Sequence, residues 1–283
     1  MQYFFRFLIC LLVVISFCLR SAFSEETPEW VKRIELSTEY ETDKKPTLYF
    51  QTVQPFHQSI DKTHTFFYQP RVSLRGERFT YNLGLGYRTL TDDNLLLGLN
   101  VFGDYEDLHE HGRAGMGLEV LGERAEARIN GYFGVTSKRV ITDTGSSTTY
   151  ERVADGVDVE FGKPLPALPW IKVYASGFFY NFSKFDDKRG WKTRVEAKLN
   201  DMLLLEFYTW DDNKGDQEYG GRLSINIAFD SLSDFKDAFK FSDEPFSAKA
   251  LEKLTLAPVE RDFDITVEKW TESAGFVVEV GRN

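Results

Sequence analysis

The sequence predicts an all-β protein, an antiparallel transmembrane β-barrel of about 12 strands with a C-terminal tail that crosses or plugs its lumen. Three observations predict it. The first is alternation. From Arg78 to Arg88, Phe79, Tyr81, Leu83, Leu85 and Tyr87 interleave with Arg78, Thr80, Asn82, Gly84, Gly86 and Arg88. A period of two over this length is a strand with two unlike faces. The second is length. Several alternating runs reach about 10 residues, which a tilted strand needs to cross a bilayer, whereas soluble strands are more often about 5–6. The third is the chemistry of the faces. The polar sets carry charges of both signs and glycine, and no helical pattern before residue 230 offers to cover a sheet. Closing the sheet turns the apolar faces to lipid and the charged faces to a wet lumen, and leaves no open edge. An aromatic content of 15% suits girdles at the two interfaces.

Taken in order, residues 1–24 read as a secretory signal. Arg6 precedes an apolar run from Phe7 to Phe17, and Ala22 and Ser24 are small residues ahead of a cut before Glu25. Both cysteines, Cys10 and Cys18, lie in this segment, so the exported chain is held without disulfides. Residues 25–229 read as the barrel. Alternating strands are expected around Ile34–Tyr40, Thr47–His57, Phe66–Leu74, Phe79–Tyr87, Leu95–Val101, Ala114–Val120 and Ala125–Val135. They continue around Val157–Phe161, Ile171–Phe179, Trp191–Leu199, Leu203–Phe207 and Tyr219–Phe229. No later run approaches the roughly 18 apolar residues of a transmembrane helix, so strands must make any crossing.

If the first strand rises from the periplasm, the external links include 106–112, 137–149, 183–190 and 211–218. The periplasmic links include 89–93, 121–124, 163–169 and 200–202. The external set is longer and more polar, apart from the short turn at 75–78, which is the asymmetry of outer-membrane barrels. The segment "TDTGSSTTY" at 142–150 reads as a low-complexity loop. Residues 230–283 read as a post-barrel segment, with helical signals at 233–239 and 247–254 and renewed alternation at 264–269. An even strand number returns the chain to the periplasm. The tail is then expected to re-enter the lumen, the alternative being a loose periplasmic tail.

In this order the motifs resemble the β-domain of inverse autotransporters, the intimin and invasin family. The resemblance is carried by "LGLGYR" (83–88), "LLLGLNVFGDYE" (95–106), "HGRAGMGLEV" (111–120), "NGYF" (130–133) and "YERVADGVDVEF" (150–161). It continues through "LPALPWIKVY" (165–174), "GWKTRVEAKLND" (190–201), "GRLSINIAF" (221–229) and "PVERDFDITVEK" (258–269). It implies a twelve-stranded barrel in the outer membrane that anchors and translocates a C-terminal passenger through its lumen. Because the chain ends at Asn283, soon after the post-barrel segment, no passenger is expected within it. The alternative functions are a passenger-less, porin-like or structural outer-membrane protein, and a periplasmic β-sandwich binding protein.

The polar wall expected to face the lumen comprises Arg88, Asp104, Arg113, Glu119, Arg124, Glu126, Arg128, Asp158, Glu160, Lys192, Arg194, Glu196, Lys198 and Arg222. Its main reading is a salt-bridge lattice; a track for a secreted polypeptide or small solutes is compatible with it. Mixed signs leave a weak net field, so strong ion selectivity is not implied. Leu223, Ile225, Ile227 and Phe229 form an expected last-strand assembly signal. His109, Glu110 and His111 read as a solvated loop rather than a metal site, and the pairs Asp186–Asp187 and Asp211–Asp212 lack a histidine in their loops. No catalytic, cofactor-binding or metal residues are therefore expected, and the chain is read as a non-enzyme. A net charge of −10 argues against nucleic acid. The expected partners are outer-membrane lipid, the barrel-assembly machinery and periplasmic chaperones, with no host or cell-surface ligand identifiable.

Overall fold

A computed structural model describes residues 28–91, 94–200, 202–226, 250–273 and 275–280. Among the described residues, seventeen strands fall into two sheets. The barrel begins with β1 (Ile34–Glu41), then β2 (Thr47–Thr52) and β3 (Gln54–Gln58), β4 (His64–Arg75), β5 (Arg78–Leu90), β6 (Leu95–Glu106), β7 (His111–Gly122) and β8 (Glu126–Gly134). A hairpin of β9 (Arg139–Asp143) and β10 (Ser147–Val153) leaves the wall. The wall resumes with β11 (Asp155–Leu165), β12 (Leu168–Asn181), β13 (Lys188–Lys198), β14 (Leu203–Asp212) and β15 (Glu218–Asn226). The tail adds β16 (Val267–Ser273) and β17 (Phe276–Glu279).

All barrel neighbours are antiparallel, and β1 pairs with β15 from Glu35↔Asn226 to Glu41↔Gly220, which closes the ring. β2 and β3 are successive halves of one stave, both paired with β4, so the 13-stranded sheet is a ring of twelve staves. The break falls at Val53, and a register shift between Pro55 and His57 marks the irregularity that made this stretch a weak strand in the sequence.

Burial is inverted relative to a soluble protein. Along β6 every second residue is exposed, and the exposed set is Leu95, Leu97, Leu99, Val101, Gly103 and Tyr105. The buried set includes Asn100 and Asp104, at 3% and 5% exposure, while Leu99 and Val101 stand at 46% and 48%. Register joins the exposed residues into a belt. Half-buried Tyr87 faces Leu99, Leu99 faces Leu118, Leu118 faces Ile129, and Ile129 faces Val159. Soluble monomers rarely expose an apolar patch beyond a few hundred Å², so such a belt belongs in lipid. β4 to β7 run 12 or 13 residues. At about 3.3 Å per residue and the usual tilt of about 35–45°, that length spans a hydrocarbon core of about 30 Å.

One link and the tail differ from expectation. Residues 137–149 are not an open loop, because β9 and β10 order them. The cause is non-local: β10 pairs along its whole length with tail strand β16, and Tyr150 stacks on Trp270. In the tail, the helical signal at 247–254 resolves in its described part to a short 3-10 turn, Leu251–Lys253, while the signal at 233–239 lies outside the described residues. Among the described residues there is no α-helix. The tight turn between β4 and β5 uses Gly76 at a φ of +65°, a conformation that glycine adopts without penalty.

The belt makes one outcome specific. Leu118→Arg puts a charge on the lipid face at a cost of about 2–4 kcal/mol near the midplane. Leu108→Arg, in the external turn between β6 and β7, should be nearly neutral. Heat-modifiable migration of outer-membrane fractions on gels measures folded yield, which should fall for Leu118→Arg alone.

Candidate functional site: a tail held in the barrel lumen

The lumen-facing sets of β4 to β8 hold residues 254–264 by a ladder of contacts, most of them side chain to backbone. Near the periplasmic end, Arg88 donates through NH1 to the carbonyls of Leu254, Thr255 and Ala257 at 3.0, 3.2 and 2.6 Å. Its Nε and NH2 grip both oxygens of Glu119 at 2.6 and 3.2 Å. Higher up, the Val259 amide donates to Gln69 Oε1 at 2.9 Å, and Asn130 donates to the Glu260 carbonyl at 3.3 Å. Then Arg113 donates to the carbonyls of Asp262 and Asp264, each at 2.7 Å, while its Nε bonds Asp104 at 2.8 Å. At the outer end Arg75 pairs with Asp264 at 2.6 Å. Residue number rises steadily from the Arg88 end of the lumen to the Arg75 end, so the tail crosses the lumen; the strand parity read from the sequence makes the first end periplasmic and the second external.

Arginine suits this work because its planar fork offers five donors that do not deprotonate. Arg113 and Asp104 are both wholly buried, and such charges are costly unless every donor finds a partner. The tail completes the set. Arg261 adds two bonds to Asp104, at 2.8 and 3.2 Å, and lies 4.4 Å over the Phe102 ring. Val259 and Phe263 pack with Val53, Phe67 and Phe102 in an apolar cluster inside the barrel. The wall makes room for these rings with glycine: a Cβ on Gly84 would overlap the Phe102 ring, and one on Gly86 the Phe67 ring.

Opposite the ladder stands a second lattice. Arg194 bonds Glu160 at 2.8 Å and Glu206 at 2.8 Å and lies 3.6 Å over Tyr174. Arg222 bonds Glu206 at 2.7 Å, and Arg128 pairs with Glu126 and Glu160. Tyr174 donates to Glu126 at 2.9 Å and Glu196 at 3.5 Å. Asp158 accepts from Asn130 at 2.9 Å and from Tyr132. The tail's Glu260 comes only to 4.0 Å of Arg194 and Arg222. Between tail and lattice lies a cavity of about 540 Å³, lined in part by Arg71, Lys192, Arg194, Arg222 and Glu260.

Of the wall residues read from sequence, Arg88, Asp104, Arg113, Glu119, Glu126, Arg128, Arg194 and Glu196 are buried, while Asp158, Glu160, Lys192 and Arg222 are half-buried. Arg124 is misplaced by that reading. β8 begins at Glu126, so Arg124 stands exposed in the preceding turn, one step beyond the alternation. Lys198 keeps the parity of Arg194 and Glu196 but sits exposed at the strand's end. Leu223 is half-buried and Ile225 exposed, whereas Ile227 and Phe229 lie outside the described residues. The sequence reading missed Gln69, Arg75, Asn130 and Arg261. The inward parity of Gln69 and Asn130 was visible, whereas Arg75 fell in an expected turn and Arg261 lies in the tail outside any strand; in each case the partner lies some 130–190 residues along the chain.

At the external rim, loop 182–187 clasps Glu268, which accepts from the amides of Ser183, Lys184 and Phe185 at 2.8, 2.6 and 3.0 Å. Glu151 of β10 binds Lys269 of β16 at 3.0 Å. Burial pushes the Glu151 carboxyl up, but hydrogen bonds from His111 and Lys269 outweigh it and hold the pKa at about 2. The expectation of a solvated H-E-H loop fails here: His111 is buried against Glu151 because β10 folds over it.

A closed twelve-stave barrel with a lipid belt and an occupied lumen defines an outer-membrane β-barrel. The chain belongs to the inverse autotransporter β-domain family, whose model matches residues 14–194. It is 32% identical over 157 residues, 53% of its length, to the inverse autotransporter adhesin YeeJ of Escherichia coli K12. It is 36% identical over 93 residues, 32% of its length, to intimin of Escherichia coli O111:H-. These matches span 6% and 10% of the relatives' own lengths. A solved structure described as "Unveiling the Mechanism Behind the in-meso Crystallization of Membrane Proteins" superposes with a TM-score of 0.64 at 20% identity, covering 84% of this chain and 99% of that one. Fold and family together put this chain in the outer membrane as a barrel anchor.

The ladder predicts an asymmetry between two lumen arginines. Arg113→Ala removes the bonds to two tail carbonyls and one of the partners of Asp104. Breaking such a buried pair costs about 3–5 kcal/mol. The barrel should still insert, but residues 254–266 should become protease-sensitive and single-channel conductance should rise. Arg222→Ala, which meets the tail only at 4.0 Å, should change both much less.

Proposed function

We propose that this chain is a membrane anchor and translocator that delivers the polypeptide following its barrel to the cell surface through its own lumen. The observation that supports it is the ordered ladder of lumen contacts from Leu254 to Asp264, which leads to strands β16 and β17 at the external rim. A lumen side chain that binds backbone carbonyls reads no sequence, so the same arginines suit successive segments of a moving chain. In this reading residues 1–24 direct export and are removed before Glu25. Periplasmic chaperones and the barrel-assembly machinery then insert the barrel into lipid, with Leu223 and Ile225 on the last strand as part of the signal they recognise. The role is mechanical and calls for no catalysis.

A second reading, a porin-like barrel, rests on the cavity of about 540 Å³ beside the tail. Low conductance of the intact barrel favours the anchor; a steady open pore favours the porin.

Phe276, 75% exposed on β17, supplies the test. Phe276→Cys should react with a membrane-impermeant maleimide on intact cells. Reaction only after the outer membrane is permeabilised would mean that the tail stays inside, and the translocator reading would fall.

A further inference from the structure

The external rim holds a cluster that anchoring does not use. Glu106 ends β6, His111 begins β7, His109 lies in the turn between them, and Glu151 reaches across from β10. One donor atom from each of Glu106, His109 and His111 lies within 4.8 Å of the others. Glu151 Oε2 lies 2.9 Å from His109 Nδ1 and 2.8 Å from His111 Nε2. The side chains of Glu106, His111 and Glu151 are each no more than 3% exposed, and that of His109 is 19% exposed. Glu110 sits between the histidines at a φ of 58°, and the turn leaves their ring centroids 5.9 Å apart.

Hydrogen bonding does not satisfy this group. One carboxylate oxygen faces two imidazole nitrogens, and only His111 Nε2 is aligned for a bond to it. His109 Nδ1, though close, is buried without a hydrogen-bond partner, as is His111 Nδ1. Two imidazoles and a carboxylate are a donor set that favours borderline divalent transition metals, zinc above all. Ligand atoms at about 2.0–2.2 Å from a tetrahedral ion stand about 3.3 Å apart, so opening the Glu151 contacts by about half an ångström admits one. Lys269 occupies the other Glu151 oxygen at 3.0 Å, so Oε2, which faces the two imidazoles, is the oxygen placed to ligate. Glu106 Oε1 accepts the His109 amide at 3.1 Å, which holds this carboxylate beside the two histidines.

We propose that His109, His111 and Glu151, with Glu106 as fourth ligand, bind a divalent transition-metal ion of the zinc class. The ligands come from two elements. The β6–β7 turn belongs to the barrel wall, and β10 carries tail strand β16 along its whole length. The ion therefore latches the external hairpin, and the emerging tail beside it, to the barrel rim.

The test uses the chain purified from outer membranes in detergent, with Co²⁺ as the spectroscopic probe and Zn²⁺ as competitor. The folded barrel should take one Co²⁺ per chain, with the intense visible bands of tetrahedral coordination, and lose them on adding Zn²⁺. His111→Ala should weaken Zn²⁺ binding at least tenfold, and a His109→Ala/His111→Ala double variant should abolish the bands. His64→Ala, at the opposite rim where His64 stacks on Tyr87, should bind as the parent does. Heat-modifiable migration establishes that each variant is folded. Zn²⁺ should also slow proteolysis of the β9–β10 hairpin in the parent and not in the double variant. A folded parent that gives no tetrahedral bands, a double variant that keeps them, or a hairpin indifferent to Zn²⁺ would overturn the proposal.

Discussion

Everything in this molecule depends on the closing of one backbone seam. Hydrocarbon offers no hydrogen-bond partner, so a sheet in lipid must leave no edge. The pairing of β1 with β15, from Glu35↔Asn226 to Glu41↔Gly220, removes the last edge. Closure then divides the chain into two environments. Because side chains alternate strictly, each strand sends one set to lipid and one to the lumen, and a slip of one residue would exchange the sets. Leu99 lies in the belt and Asn100 in the lumen for this reason alone.

The lumen raises the opposite difficulty. A ring of twelve staves encloses many charges, and those buried among side chains need partners. The wall supplies some of them across strands, as with Arg88 and Glu119 or Arg194 and Glu206. The rest come from the tail, whose backbone carbonyls take the remaining donors of Arg88 and Arg113. The apolar contacts of Val259 and Phe263 then seat the tail against one side, with the cavity left on the other. The tail is in this sense part of the folded core. At the external rim the same logic continues in β-structure, where β10 and β16 pair and loop 182–187 encloses Glu268.

How much of this was legible in the sequence follows from how local each feature is. The strands and their two faces are written in neighbouring residues, as the alternation from Leu95 to Glu106 illustrates, whereas the tail's return followed only from the even number of strands. The partners are not. Gln69 and Val259 are 190 residues apart, and nothing near either announces the other. Arg124 was misread because alternation alone cannot tell where a strand starts. The segment 142–150 looked like a loop because the strand that orders it, β16, lies more than 100 residues on. His109 and His111 looked solvated for the same reason. The inward aromatics had a subtle signal: Gly84 and Gly86 of β5 leave room for the Phe102 and Phe67 rings on the neighbouring strands, a pairing that only register reveals.

The central claim is that the tail runs inside the barrel, and proximity at mid-lumen tests it most directly. With Cys10 and Cys18 replaced by alanine, a Gln69→Cys/Val259→Cys pair can be bridged selectively by a short bifunctional maleimide in native outer membranes. The account predicts a cross-link within one chain, absent from either single variant and seen as altered gel mobility of the denatured protein. A folded barrel in which both thiols react singly and never bridge would contradict it.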